Sequence, residues 1–205
     1  MSLYKSYLLT YNLLNTLLWL RILLTLLTLF ISTIPESTPT STTIYKTLEP
    51  WIRWTQTLSV LEILHAATGL TRSPIFTTFT QIFARSVQVW AINYAFSEVT
   101  ATSPAYGAMV LAWAVADVVR YGYFVGLLGG LDSLTRGLRW LRYSLFIILY
   151  PIGIGSEWWL MFRAAGATDA VAVRGVFWFC LGLYGPGSVM MYSYMLKQRR
   201  KTLAK

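Results

Sequence analysis

Six long apolar stretches dominate this chain and leave few folds open to it. They cover residues 7–34, 51–70, 74–97, 104–128, 141–162 and 175–196. Each is close to the roughly 20 residues that an α-helix needs to cross the hydrocarbon core of a bilayer. Charged residues make up only 12% of the chain, which is about half their usual share in a soluble domain. The sequence therefore predicts an all-α, polytopic membrane protein, a six-transmembrane-helix bundle in a single domain covering residues 1–205.

The segments between these stretches carry turn-forming residues. Residues 35–50 are rich in Pro, Ser and Thr and show no helical period, so we expect a loop there. Short turns are predicted at 71–74 and 97–104, because each ends in a proline that suits the first turn of a helix. Residues 129–137 have glycine at both ends and are also predicted to form a loop. The last stretch, 175–196, holds no formal charge and is typical of a purely structural helix.

Lysine and arginine predict the orientation of the bundle. If the N-terminus is cytosolic, the cytosolic side holds Lys5, Arg72, Arg136, Arg139, Arg142, Lys197, Arg199, Arg200, Lys201 and Lys205. The opposite side then holds only Lys46, Arg53, Arg163 and Arg174. Because basic residues concentrate on the cytosolic side of membrane proteins, both termini are predicted to be cytosolic. The same bias accounts for the net charge of +9, so no nucleic-acid partner is expected.

The scarcity of cysteine and histidine excludes several kinds of site. Cys180 is the only cysteine, so the chain can form no internal disulfide and no Cys-rich metal site. His65 is the only histidine, which excludes enzymes that need a histidine cluster, membrane desaturases among them. We therefore expect neither a metal ion nor a cofactor.

Ionisable residues lie inside five of the six stretches. They are Arg21, Glu62, His65, Arg85, Asp117, Arg120 and Glu157. A charge at the middle of a bilayer costs roughly 2.5–3.5 kcal/mol, so such residues normally face the bundle interior and pair with one another. Glu62 and His65 are three residues apart, as are Asp117 and Arg120, and each pair therefore shares a helix face. They can be read either as structural pairs that join helices or as parts of a site.

The fifth stretch contains the clearest candidate site. Pro151 removes a backbone hydrogen bond, and Gly153 and Gly155 loosen the following turn. A broken helix inside a membrane exposes backbone groups that a cavity or other protein segments must satisfy. Tyr150 and Glu157 bracket this point on one helix face, about 10 Å apart along an ideal axis. They could meet one small ligand, or they could be an aromatic residue and an inward-facing acid beside a kink.

Four stretches carry a resemblance to a known family. They are "YLLTYNLLNTLLWL" at 7–20, "LEILHAATGLTRSPIFTTFTQIFARSVQVWAI" at 61–92, "LAWAVADVVRYGYF" at 111–124 and "LRYSLFIILYPIGIGSE" at 141–157. Together they cover most of the chain, which resembles the very-long-chain 3-hydroxyacyl-CoA dehydratases, also called HACD or PTPLA-like proteins. The resemblance implies a lyase of the endoplasmic reticulum membrane. It would remove water from a (3R)-3-hydroxyacyl-CoA to give a trans-2-enoyl-CoA, the third step of very-long-chain fatty-acid elongation.

The resemblance also implies roles for particular residues and partners. The family's catalytic Tyr and Glu match Tyr150 and Glu157, and further family positions match Arg85, Arg142 and Gly153. The family usually has Glu where this chain has an Asp at position 117, so the carboxylate there is one methylene shorter. The expected partners are the 3-hydroxyacyl-CoA substrate, membrane lipid and the other elongation enzymes, namely the condensing enzyme and the ketoacyl and enoyl reductases.

The proton chemistry can be assigned in two ways from the residues alone. Dehydration needs a base at C2, an acid at the departing hydroxyl, and stabilisation of the thioester oxygen. Glu157 could be the acid and Tyr150 the base, if Arg85 or Arg142 lies beside the phenol. We prefer this assignment, and the reverse, with Glu157 as base and Tyr150 as donor, stays open.

The basic residues near the cytosolic ends have two readings. Arg136, Arg139 and Arg142 recur every three residues and could hold the CoA phosphates together with Lys197, Arg199, Arg200 and Lys201. Alternatively, these charges set the topology and attract anionic lipid.

Two other functions also remain open at this point. The chain could be a small membrane transporter, because intramembrane charges and a broken helix mark substrate pathways, or a catalytically silent scaffold of the elongation complex.

Overall fold

A computed structural model describes residues 2–32 and 40–203, and most of the chain in these ranges is helical, with no β-strand. The helices are α1 (Leu3–Ser32), α2 (Thr40–Leu58), α3 (Leu61–Ala67), α4 (Ile75–Val87, continued by a π-helical segment Gln88–Tyr94), α5 (Ser97–Ala101), α6 (Pro104–Gly129), α7 (Asp132–Arg142), α8 (Phe146–Ala167) and α9 (Val171–Leu203). The all-α prediction is confirmed.

Several helices have the length and surface of membrane spans. α1 and α6 are each long and apolar enough to cross a bilayer, and α7 with α8, bent by 53° between them, would make a third span. The outer face of α1 exposes Leu13 by 45%, Leu17 by 55% and Leu24 by 54%. A row of exposed leucines of this size would be unfavourable in water and suits contact with lipid.

α1 and α6 pack against each other in opposite directions and form the centre of the bundle. A methyl group added to Gly107, near the start of α6, would lie 3.5 Å from Phe30 at the end of α1. A methyl group added to Gly122, near the end of α6, would lie 4.0 Å from Thr16 in the middle of α1. The core between these and neighbouring helices includes Trp19, Ile22, Leu26, Tyr106, Met109 and Val110.

α8 and α9 form a long antiparallel hairpin beside α6. The rings of Phe146 and Tyr192 are 5.8 Å apart at one end of the hairpin, and those of Phe162 and Trp178 are 5.6 Å apart at the other. These edge-on aromatic contacts hold the two helices together along most of α8. Side chains on the side of α8 that faces α9 are therefore in contact with that helix.

The predicted loop at 35–50 is wrong over residues 40–50, which begin α2; residues 35–39 lie outside the described residues. Ile44, Leu48 and Ile52 are spaced four apart and are each no more than 2% exposed. This apolar stripe is what holds the amphipathic helix against the bundle. Serine and threonine content concealed the stripe in the sequence, because polar residues occupy its other faces.

The loop prediction at 129–137 is also wrong from Asp132 onward. Gly130 adopts a left-handed conformation with φ of 74° and ends α6. The chain then reverses and α7 runs back along α6. Gly126 permits this approach, since a methyl group there would lie 2.7 Å from Thr135 Oγ1. The fifth predicted span is therefore preceded by a separate amphipathic helix.

The remaining boundaries differ in smaller ways. The turn at 71–74 is confirmed, whereas 97–104 contains the short helix α5. The second predicted stretch is interrupted after Leu58, where Gln56 Nε2 donates to Ser59 Oγ at 2.7 Å. The third changes from α to π geometry. Gln88 and Asn93, five residues apart, are joined there by a 3.1 Å hydrogen bond between their side chains, a spacing that suits a π-turn.

Candidate active site

The approach of α8 to α6 determines where the kinked segment points. Gly153 lies two residues after Pro151, and a methyl group on it would lie 3.7 Å from Ala112 and 3.9 Å from Trp113. A larger side chain would push the two helices apart. One turn further along α8, Glu157 consequently faces Trp113 of α6 and lies inside the bundle.

Glu157 is buried, with 8% of its surface exposed, and both of its carboxyl oxygens have partners. Trp113 Nε1 donates to Oε1 at 2.8 Å, and the hydroxyl of Tyr184 on α9 lies 3.1 Å from Oε2. Both partners are electrically neutral. Among the described residues, no arginine, lysine or histidine nitrogen lies within 4.0 Å of this carboxyl group.

Tyr150 lies on the same hairpin but does not contact Glu157 directly. Its hydroxyl donates to the backbone carbonyl of Ser188 at 3.4 Å, and its ring packs 5.9 Å from that of Tyr192. In the part of the chain that the structure describes, no hydrogen bond joins Tyr150 to Glu157. The structure therefore leaves Tyr150 half-buried against α9, with Glu157 two turns deeper along α8.

A charged network lies next to this site and is centred on Arg120. Its guanidinium donates to Glu62 Oε2 at 2.8 Å and Oε1 at 3.2 Å, and its Nε donates to Asp117 Oδ1 at 3.0 Å. Tyr121 donates a further hydrogen bond to Glu62 Oε1. Arg120 thus joins α3 to α6. The pairing of Asp117 with Arg120 expected from their spacing is present, although Arg120 also serves a second carboxylate.

Arg85 connects this network to the neighbourhood of Glu157. Its terminal nitrogen pairs with Asp117 Oδ2 at 2.7 Å. Its guanidinium also lies 4.0 Å above the ring of Trp113, the same indole that donates to Glu157. The shorter side chain of Asp117 is therefore long enough to hold two arginines. Arg85 pairs with Asp117, Arg120 pairs with both Asp117 and Glu62, and neither arginine forms an ion pair with Glu157.

Two other residues of the predicted spans lie away from Glu157. His65 is bonded through Nε2 to the hydroxyl of Tyr7 at 2.8 Å. Its ring also packs 4.8 Å from that of Tyr11, whose hydroxyl donates to Glu62. Arg21 is exposed, and its guanidinium lies 3.4 Å above the ring of Trp51. These contacts have the character of structural bracing between helices.

The basic stripe on α7 is divided by the fold. Arg142 turns inward and packs over the rings of Tyr123 at 5.1 Å and Phe124 at 4.9 Å. Arg136 and Arg139 remain exposed and, with Asp132 and Thr135, line an open cleft of about 430 Å³. All four of these residues belong to α7. Two of the three arginines in the predicted stripe therefore share one surface, and the third does not.

Sequence reasoning missed the two side chains that hold Glu157. Trp113 lies one turn before Asp117 on the same face of α6. Because Asp117 was expected to face the bundle interior, the sequence could have indicated that Trp113 faces it as well. Tyr184 lies within the uncharged stretch interpreted as purely structural, and its hydroxyl bonds to Glu157. The proline two residues after it, Pro186, could have drawn attention to this part of α9.

Comparisons with known proteins point to one family. The profile of the family described as "Protein tyrosine phosphatase-like protein, PTPLA" matches residues 56–205. A Schizosaccharomyces pombe protein named "Probable very-long-chain (3R)-3-hydroxyacyl-CoA dehydratase" is 36% identical over 96% of this chain and 92% of its own length. No solved structure matches the chain.

Plant and animal relatives carry corresponding names. The "Very-long-chain (3R)-3-hydroxyacyl-CoA dehydratase PASTICCINO 2" of Arabidopsis thaliana is 36% identical over 79% of each chain. A Caenorhabditis elegans very-long-chain (3R)-3-hydroxyacyl-CoA dehydratase is 33% identical over 97% of this chain and 95% of its own. The profile match covers well over half of the sequence, and the identities extend across nearly all of it. The chain belongs to the PTPLA family of protein tyrosine phosphatase-like proteins.

Proposed function

We propose that this protein is a very-long-chain (3R)-3-hydroxyacyl-CoA dehydratase that forms trans-2-enoyl-CoA in the third step of fatty-acid elongation. The observation that carries the proposal is Glu157, a buried carboxyl that has only neutral hydrogen-bond partners. Buried acids in membrane proteins are normally paired with a cation, and an unpaired one indicates function. The named relatives support the reaction and its substrate class.

Glu157 and Tyr150 are the proposed catalytic pair, with Glu157 as base and Tyr150 as acid. Glu157 takes the proton from C2, the released electron pair forms the C2–C3 double bond, and the C3–O bond breaks. Tyr150 donates its hydroxyl proton to the departing oxygen, which leaves as water. The opposite assignment would need a cation beside Tyr150. Arg85 instead pairs with Asp117, and Arg142 packs on aromatic rings of α6.

The remaining charged residues have a supporting role in this proposal. Arg85 and Arg120 form their ion pairs with Asp117 and Glu62. Because both guanidinium groups are used there, neither is paired with Glu157. Gly153 allows α8 to approach α6. His65 braces α3 against α1 through Tyr7. These contacts position the helices around the carboxyl without taking part in proton transfer.

The proposal includes the six-span topology in the endoplasmic reticulum membrane, with both termini cytosolic. The spans would be α1, α2 with α3, α4 with its π-helical continuation, α6, α7 with α8, and α9. The antiparallel packing of α1 on α6 and of α8 on α9 is compatible with this order. The whole chain, residues 1–205, then forms one domain that works beside the other elongation enzymes.

The direct test is to incubate the purified protein with a long-chain (3R)-3-hydroxyacyl-CoA and follow loss of water by mass spectrometry. We expect conversion to the trans-2-enoyl-CoA without any other protein or added cofactor. A folded, monodisperse sample that leaves the substrate unchanged would identify the chain as a scaffold. Substrate flux into liposomes without dehydration would favour a transporter.

The cleft on α7 is the proposed site for the CoA phosphates. Arg139 and Tyr150 are eleven residues apart along α7 and α8, which corresponds to roughly 16 Å of helix before the bend is considered. An extended pantetheine arm of about a dozen bonds spans a similar distance, because each bond advances roughly 1.3 Å. The phosphates would thus reach Arg136 and Arg139 while the thioester lies near Tyr150.

Replacing both Arg136 and Arg139 with glutamine should raise KM for the CoA thioester by about tenfold or more, because charge-assisted hydrogen bonds to the phosphates are lost. We expect the KM for an N-acetylcysteamine thioester, which has no phosphate, to stay unchanged. Arg72→Gln, at an exposed arginine outside the cleft, is the matched control. An equal rise for both thioesters would mean that the two arginines act through lipid or the fold.

A further inference from the structure

Helix α9 contributes a hydroxyl group to the candidate site. Tyr184 is half-buried on α9, and its oxygen lies 3.1 Å from Glu157 Oε2. One turn further along α9, the Ser188 carbonyl accepts the hydrogen bond of Tyr150. The same face of α9 therefore contacts both members of the proposed catalytic pair. Tyr184 is the tyrosine that touches the carboxyl, and Tyr150 is not.

The two oxygens of Glu157 are held by chemically different partners. An indole N–H can only donate a hydrogen bond, so Oε1 remains an acceptor whether or not the carboxyl is protonated. A phenol can both donate and accept. It can donate to Oε2 when Glu157 is ionised and accept from Oε2 when that oxygen carries a proton. A proton on Glu157 is consequently best accommodated at Oε2.

We propose that Tyr184 is a positioning residue that lets Glu157 gain and lose a proton at Oε2 without turning its side chain. This inference rests on the proposed function. During one turnover Glu157 gains the C2 proton and Tyr150 loses one to the leaving water. One proton must therefore leave Glu157 and one must return to Tyr150 before the next cycle. A hydroxyl that reverses its direction keeps the carboxyl in one orientation through both changes.

The test compares Tyr184→Phe with Tyr194→Phe, a variant at an exposed tyrosine on the same helix. Tyr184→Phe removes one oxygen atom and keeps the ring. We expect kcat to fall by about 10- to 100-fold, at or below the lower limit for groups that transfer the proton themselves, with KM unchanged. The limb of the kcat–pH profile that depends on Glu157 should also move. Tyr194→Phe should leave kcat, KM and the profile at wild-type values.

Infrared difference spectroscopy provides a readout that does not depend on turnover. The carboxyl band of Glu157, assigned by its loss in Glu157→Gln, should change frequency in Tyr184→Phe because its hydrogen-bond partner is gone. If Tyr184→Phe does not fold, 3-fluorotyrosine at position 184 alters the acidity of the phenol with little change in shape, and it should shift the same pH limb.

Three results would separate this inference from the proposed function. An active wild-type protein whose Tyr184→Phe variant keeps the wild-type kcat and pH profile would overturn the role of Tyr184 alone. A fall in kcat with an unchanged profile and an unchanged carboxyl band would show that Tyr184 is merely structural, which also overturns it. A folded wild-type protein without dehydratase activity would overturn the proposed function, while a shifted band would still support the hydrogen-bond role of Tyr184.

Discussion

Glu157→Gln should lower kcat for dehydration by roughly 10²- to 10⁴-fold, the range expected when a general base is removed. The fold should survive the change. The glutamine oxygen can accept from Trp113 Nε1, and its amide can donate to the hydroxyl of Tyr184, so both contacts have a replacement. Initial rates on a long-chain (3R)-3-hydroxyacyl-CoA, together with the thermal midpoint of the purified protein, provide the measurement.

Glu98→Gln is the matched control, because Glu98 is an exposed acid outside the bundle core. It should retain the wild-type rate. A rate for Glu157→Gln within tenfold of the wild type, in a protein with an unchanged thermal midpoint, would remove Glu157 from the mechanism.

A substrate with chloride in place of the 3-hydroxyl tests which member of the pair is the base. Chloride leaves without being protonated, so elimination from a 3-chloroacyl-CoA still needs a base at C2 but needs no acid at C3. Tyr150→Phe should therefore be slow with the hydroxy substrate and close to the wild type with the chloro substrate. Glu157→Gln should be slow with both. The opposite pattern would make Glu157 the acid and Tyr150 the base.

Arg120→Met should destabilise the protein more than any change at the surface. Its guanidinium holds both Glu62 and Asp117, and methionine would leave these acids without one of their cations. Breaking a fully buried ion pair from one side typically costs about 3–5 kcal/mol, and because Arg120 and Glu62 are only half-buried we expect the lower end of that range. For a chain of this length, a loss of that size would lower the thermal midpoint by about 10 °C. Tryptophan fluorescence during heating in detergent provides the measurement.

Two further variants separate loss of charge balance from loss of packing. Arg120→Met combined with Glu62→Gln removes the carboxylate that Arg120 alone neutralises, so it should recover part of the lost midpoint. Arg200→Met changes an exposed arginine near the end of α9 and should leave the midpoint within about 1 °C. If Arg120→Met has no larger effect than Arg200→Met, Glu62 and Asp117 do not depend on this arginine.

Much of the helical content could be predicted from the sequence because membrane spans obey one simple length rule. The α6 boundaries follow from Pro104 at its start and from the glycines at its end. Residues 40–50 and the start of α7 were missed for a different reason. Both form amphipathic helices with mixed composition, and their apolar stripes become evident only when the bundle surface they cover is known.

The site was predictable in its parts but not in its pairings. Spacing along one helix correctly placed Asp117 beside Arg120, because residues three apart share a face. The partners of Glu157 are Trp113 on α6, which lies 44 residues before it, and Tyr184 on α9, which lies 27 residues after it. Contacts over such separations depend on how the helices pack. The spacing of Tyr150 and Glu157 indicated that both could reach one ligand, but it did not indicate that Tyr184 on the facing helix bonds to Glu157.

The hydrogen bonds around Glu157 have a consequence for biosynthesis. They join residues of α6, α8 and α9, and Tyr184 belongs to α9, which is synthesised after the other two helices. A nascent chain that has already inserted α8 would still hold a carboxyl with one oxygen open to its surroundings. Dehydratase competence should thus be acquired late, when the C-terminal hairpin closes. Ribosome-released chains that end before residue 184 should be stably inserted yet inert.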